Sequence, residues 1–130
     1  MKILDSDTCI AILRGQAAVI ERRRRAIDEV VTTWVTAGEL FYGAAKSRDP
    51  EGNADLVSRF LATLPILDPD LVAAQFSGII RAGLEKAGKR LPDADLWIGA
   101  LARRRRATVV TGNKRHFDRM GVPSENWMNA

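Results

Sequence analysis

The chain has 130 residues but only one cysteine and one histidine. With Cys9 alone, neither an internal disulfide nor a multi-cysteine zinc site can form, which fits a reducing compartment. With His116 alone, a ribonuclease chemistry that uses separate imidazoles as acid and base is excluded; this histidine reads as a surface or local hydrogen-bonding residue. Long apolar runs are missing as well. The longest stretch without a charged residue is Leu71–Ile80, far below the ~18 apolar residues of a membrane span. The opening Met1-Lys2-Ile3-Leu4-Asp5 lacks the ~7–15-residue apolar core of a signal peptide, so a cytoplasmic protein with no membrane attachment is expected. No P-loop or dinucleotide glycine fingerprint occurs, which argues against nucleotide cofactors. No linker, repeat or low-complexity tract interrupts the chain, so one domain over residues 1–130 is expected.

What is present is ordinary for a globular chain: 46% hydrophobic and 28% charged residues, enough for one core and too few residues for two. The formal net charge of +4 favours an acidic partner such as nucleic acid. Much of that excess sits in two runs, Arg22–Arg25 and Arg103–Arg106, which read equally well as solvated helix surface.

Along the chain, strand and helix patterns alternate. Lys2–Leu4 reads as a strand ending at Asp5, followed by a helix that stops near Gly15. Gln16–Glu29 reads as a basic helix with Val19, Ile20 and Ile27 inward. Val30–Val35, rich in β-branched residues, reads as a second strand. Thr36 then caps a helix in which Glu39 takes the capping-box position and Leu40, Phe41, Ala44 and Ala45 form the buried stripe. After Asp49-Pro50-Glu51-Gly52, a helix carries Leu56, Val57, Phe60, Leu61 and Leu64, and Pro65–Leu67 forms a short strand. Asp70 caps a long helix with Val72, Phe76, Ile79, Ile80 and Leu84 inward, ended by Gly88. A further helix begins at Asp93 or Ala94, Ala107–Thr111 forms a strand, and Asn113–Met120 holds at most a short helix. This alternation predicts an α/β protein whose parallel sheet is covered on both faces, with ligands gathering beyond the carboxyl ends of the strands.

Three acids sit in or beside apolar sequence, where an ionised group is costly unless it is paired or bound to a cation: Asp5, Glu39 and Asp95. Each has an ordinary alternative. Asp5 and Asp7 can cap the first helix, Glu39 can close a capping box with Thr36, and Asp93 reads first as a cap with a supporting place at the site. Asp95, directly before Leu96-Trp97-Ile98, is the hardest to explain in that way. If the acids converge at strand ends they repel one another, and a hard divalent cation such as Mg²⁺ or Mn²⁺ is the natural counter-charge. Such a site suits phosphodiester hydrolysis by activated water, leaving a 5′-phosphate and a 3′-hydroxyl.

The segments KILDSDTCIAIL, VVTTWVTAGELFYGAAKS, LPDADLWIGALA and TVVTGNKRHF, in this order and spacing, resemble the PIN domain and, more narrowly, the VapC toxins of VapBC toxin–antitoxin systems. The resemblance covers nearly the whole chain, including the final Val122–Trp127 stretch. It implies a three-layer α/β/α fold with a central parallel sheet of four to five strands. It also implies Mg²⁺- or Mn²⁺-dependent endoribonuclease activity, a VapB-like antitoxin that covers the active site, and a homodimer. Carried over residue by residue, the family's acids fall on Asp5, Glu39 and Asp95, and its fourth site, often Asp, falls on Asn113. Ser6 and Thr111 match polar positions that line such sites, and Asp7 stands where the toxin branch often has Asn. Arg14, Lys114 and Arg115 are assigned to RNA contact.

Two other readings remain open. Asp5-Ser6-Asp7-Thr8 also fits the nucleophile motif of haloacid-dehalogenase-like phosphatases, with Asp5 as nucleophile and Asp7 as acid/base. A binding module with vestigial carboxylates, whose basic surface merely holds RNA or a protein, is the alternative from outside the enzymes.

Overall fold

The computed structural model describes residues 1–128, so the expected domain of residues 1–130 runs past the described residues at Asn129 and Ala130. Five short strands, β1 (Lys2–Leu4), β2 (Val30–Thr33), β3 (Ile66–Leu67), β4 (Thr108–Val110) and β5 (Ser124–Glu125), form one sheet in the order β3-β2-β1-β4-β5. Every pairing is parallel. Parallel neighbours need crossover connections, supplied here by α1 (Ser6–Leu13), α2 (Ala17–Arg25), α3 (Trp34–Ala45), α4 (Pro50–Leu61), α5 (Leu71–Lys86), α6 (Asp93–Arg105) and α7 (Lys114–Arg119).

Side chains alternate across a strand, so the core of this one domain is divided by its sheet into an apolar layer on each face. Leu4 and Val110 face one side, where they meet Cys9, Val19, Leu40, Val57 and Phe60 of α1 to α4. Ile3 and Val109 face the other, against Ile80, Leu84, Ile98 and Phe117 of α5 to α7. The result is the expected three-layer α/β/α arrangement. The chain builds outward from β1 to β2 and β3, then returns through α5 and α6 to place β4 on the other side of β1. Strand order therefore reverses at β1, and the carboxyl ends of β1 and β4 flank the crevice where such sheets bind ligands. Among the described residues no helix is long and apolar enough to cross a membrane.

Several boundaries differ from the sequence pattern. β2 stops at Thr33, whose hydroxyl oxygen accepts the Thr36 N–H at 3.2 Å, so Thr33 caps α3 and Trp34 and Val35 become helical. A capping interaction overrides the β preference of an aromatic and a β-branched residue. α2 is shorter than the pattern suggested. It buries Val19 but leaves Ile20 exposed, and Ile27 beyond it is fully exposed. Phe41, Leu56, Val72 and Ile79 are also exposed. The helices are longer than the strands they cover, 16 residues in α5 against 2 in β3, so part of each apolar stripe has no sheet beneath it. Gly88, at φ +68°, ends the α5 region in the left-handed conformation that favours glycine.

Candidate active site

Asp5 directly follows β1 and caps α1: its Oδ1 accepts the Ser6 N–H at 2.7 Å. Its Oδ2 accepts the hydroxyl of Thr111, the residue after β4, at 2.8 Å. The side chain is 4% exposed. Burial pushes the carboxyl up from its ordinary 3.8 to about 6. The Thr111 hydroxyl opposes that rise, the charge of Asp7 adds to it, the Ser6 N–H opposes it, and the charge of Asp95 adds to it again. Among the described residues no Lys or Arg forms an ion pair with Asp5, Asp7 or Glu39. Asp5 thus resides among negative charges with no protein cation to relieve it.

Asp7 bridges two elements. Its Oδ1 accepts the Thr8 N–H at 2.7 Å and its Oδ2 accepts the Gly112 N–H at 2.8 Å, tying the first turn of α1 to the loop after β4. Thr8 reinforces the tie by donating to the Val110 carbonyl at 3.0 Å. Glu39 lies in the second turn of α3 because the helix starts earlier than expected, which removes it from the capping-box position. Its Oε1 instead accepts the Ser6 hydroxyl at 2.7 Å. Asp95, in the first turn of α6, is 9% exposed, and its Oδ2 accepts from Nδ1 of His116 at 2.5 Å. Asn113 caps α7 and donates its backbone N–H to the Thr111 hydroxyl at 2.9 Å.

The fold thus gathers Asp5, Ser6, Glu39, Asp95, Thr111 and Asn113 beyond the carboxyl ends of β1 and β4. Asp93 does not join them. It is exposed and pairs with Arg81 of α5 at 2.9 Å. Two helical positions are about 200° of rotation, so Asp93 and Asp95 leave α6 in nearly opposite directions. Arg14 ends α1 and lines an open groove of about 420 Å³ with Ile10, Leu13, Glu39, Leu40 and Leu56. Lys114 reaches Asp118 at 3.3 Å, and Arg115 is exposed beside it. The sequence pattern did not connect His116 with Asp95; the one local hint was its place in the first turn after Asn113, the cap of α7.

The model of the PIN domain family matches residues 2–123. The tRNA(fMet)-specific endonuclease VapC of Shigella flexneri is 36% identical over 127 residues, 96% of each chain. The chain belongs to the PIN-domain family, in its VapC branch. Ribonuclease VapC2 of Haemophilus influenzae is 34% identical over 128 residues, 97% of each chain. The DNA-bound VapBC structure from Salmonella typhimurium superposes with a TM-score of 0.91 at 36% identity and 97% coverage of each chain. VapBC2 of Rickettsia felis, bound to a promoter fragment, superposes with the same TM-score at 26% identity. Membership in this family replaces the phosphatase reading. Asp7, which that reading needs as a mobile acid/base, has its two oxygens committed to Thr8 and Gly112.

A VapC chain raises the question of a divalent cation. Among the described residues no group of three or more His, Cys, Asp or Glu side chains is arranged as a ready metal cage. Mg²⁺, however, is typically held by one or two carboxylates together with waters and substrate phosphates. The donor set suits that mode. Asp5 spends two of its roughly four acceptor positions on Ser6 and Thr111, which leaves the rest available. Asp95 offers Oδ1, while Glu39 stands back against Ser6. The residues present therefore fit a hard cation held by a pair of carboxylates.

Proposed function

We propose that this VapC-family chain is an endoribonuclease that hydrolyses RNA with Mg²⁺ or Mn²⁺ and serves as the toxin of a type II toxin–antitoxin pair. The observation that carries the reading is Asp5. It is a buried carboxylate at the switch point of a parallel sheet, driven up to about 6 by burial and neighbouring acids and left without a protein cation. An arrangement that is costly by itself becomes favourable when a positive ion arrives.

In this reading Asp5 and Asp95 hold the cation. Thr111 and the Ser6 N–H fix the Asp5 oxygens, and Ser6 also orients Glu39 as ligand or water-orienting base. Asn113 gives outer support through Thr111. When bound, the cation would supply Lewis-acid polarisation of the phosphate and an acidified water. The scissile P–O3′ bond opens to a 5′-phosphate and a 3′-hydroxyl. Arg14, Lys114 and Arg115 supply cations to the RNA backbone. The relatives from Shigella and Salmonella are named for cleavage of tRNA(fMet), which makes a tRNA the first substrate to try.

The groove between α1, α3 and α4 opens beside Glu39 over Ile10, Leu13, Leu40, Leu56 and Val57. It suits the apolar face of an amphipathic segment, and an antitoxin laid there reaches the carboxylates. A homodimer belongs to the same proposal. The test is to incubate the purified chain with total RNA and Mn²⁺, with and without EDTA, and to sequence the RNA ends. Cleavage abolished by EDTA, with 5′-phosphate products, is expected. A 2′,3′-cyclic phosphate, or cleavage that survives EDTA, would end the proposal.

A further inference from the structure

Of the hydrogen bonds among the described residues, the Asp95 carboxylate makes one, to His116. That contact has a competitor inside Asp95's own helix. α6 begins after Pro92, which contributes no side-chain cap, so the first N–H groups of the helix lack a side-chain acceptor. A carboxylate in the first turn is drawn toward such groups by hydrogen bonding and by the helix dipole. Left alone, Asp95 would turn back on α6 rather than outward to the crevice it shares with Asp5. His116 holds it away. The imidazole is fixed by a firm support: the His116 N–H donates to the Asn113 carbonyl at 3.0 Å, and the next residue, Phe117, is fully buried in the core. Because a carboxylate only accepts, Nδ1 carries the proton in this contact. One oxygen is then engaged and Oδ1 remains for a cation.

We infer that His116 is a positioning residue that acts through Asp95 to set the affinity of the site for its divalent cation. The inference rests on the reading of Asp95 as a ligand. Partners of this kind behind a ligating side chain typically contribute about 10- to 100-fold in metal affinity.

The experiment titrates the full chain with Mn²⁺, without RNA, by electron paramagnetic resonance, and compares the parent with His116→Ala, His116→Asn and Asp95→Asn. The Asn side chain places an amide N–H close to where Nδ1 stands, so it can still donate to Asp95. His116→Ala is expected to weaken Mn²⁺ binding by about 10- to 100-fold, His116→Asn to restore most of it, and both to leave KM for RNA unchanged at saturating Mn²⁺. Thermal melting of the two His116 variants separates lost folding from lost positioning, because any damage to α7 affects both. Parent-like affinity in His116→Ala, or no recovery in His116→Asn, overturns the inference. If Asp95→Asn loses Mn²⁺ while His116→Ala keeps it, this inference alone fails. If Asp95→Asn binds as the parent does, the ligand reading of Asp95 fails and takes this one with it.

Discussion

Replacing Asp5 by Asn is expected to make the metal-free protein more stable while abolishing cleavage. Asp5 sits near 3.8 when solvated and near 6 when folded. A carboxyl raised in the folded state contributes stability that is fully present below pH 3.8 and lost as pH rises through about 6. At about 1.36 kcal/mol for each tenfold change in proton affinity, that rise corresponds to roughly 3 kcal/mol above pH 7. Relaxation of the site lowers the realised gain in Asp5→Asn to about 1–3 kcal/mol, or roughly 3–10 °C in melting temperature for a domain of this size. The Ser6 N–H still finds an oxygen, and the Thr111 hydroxyl can turn to accept from the new amide. Melting curves of parent and variant from pH 4 to 8 without metal should nearly coincide at pH 4, separate as pH rises from 4 through about 6, and run at a constant gap above pH 7, with the variant higher. Mn²⁺ should then raise the parent and leave the variant unmoved, since an ion that binds the native state stabilises it by mass action. A variant that melts below the parent at pH 7.5, or a gap that does not grow between pH 4 and 6, would refute the reasoning.

Thr111→Val removes the donor to Asp5 Oδ2 and the acceptor of the Asn113 N–H. The Asp5 carboxyl then rises further, so the acidic limb of the metal-dependent cleavage profile should move to higher pH by about one unit; an unmoved limb in kcat/KM against pH would count against it. Gly99→Ala places a Cβ 2.6 Å from Sδ and 2.8 Å from Cε of the buried Met120. The forced repacking between α6 and α7 should lower stability by about 1–3 kcal/mol in urea unfolding, and its loss should combine with that of Met120→Ala less than additively.

The parts of this protein that were legible in the sequence are those in which a local signal and the tertiary arrangement agree. Asp5 ends an apolar strand, and Asp95 opens a helix whose next residues are buried, so both stood out as acids at the edge of a core. Asp70 caps α5 as its position suggested, accepting the Ala73 N–H at 2.7 Å. What was not legible depends on partners distant in sequence. Nothing local marks Ser124–Glu125 as a strand; pairing with β4 makes it one. Glu39 had a plausible local partner in Thr36, and only the placement of α3 against α1 gives it Ser6 instead. Asp7 satisfied a local capping role on paper, whereas its second oxygen reaches across 105 positions to Gly112. His116, the one imidazole, carried no periodic signal on a helix of 6 residues.

Net charge is silent on placement in a similar way, because it belongs to the molecule and not to a face. Both arginine runs lie at helix C-termini, toward the end of the sheet opposite the carboxylates. Arg22 and Arg25 line a recess with Lys2 at the start of β1. Arg103 and Arg106 line another with Ala107 and Pro123, the residues that lead into β4 and β5. Several of these side chains are already engaged: Arg24 and Arg25 with Glu21, Arg23 with the Thr63 carbonyl and hydroxyl, and Arg104 with Asp70. Cations at the negative ends of helix dipoles stabilise the fold. The opposite end of the sheet gathers the N-termini of α1, α3, α6 and α7, and there the acids collect. A polyanion drawn by the overall charge of +4 therefore meets, at the crevice itself, a cluster of acids flanked by only a few basic residues. Phosphate can approach Asp5 and Asp95 closely only if a cation stands between them, so attraction to the molecule and access to its crevice are governed by different charges.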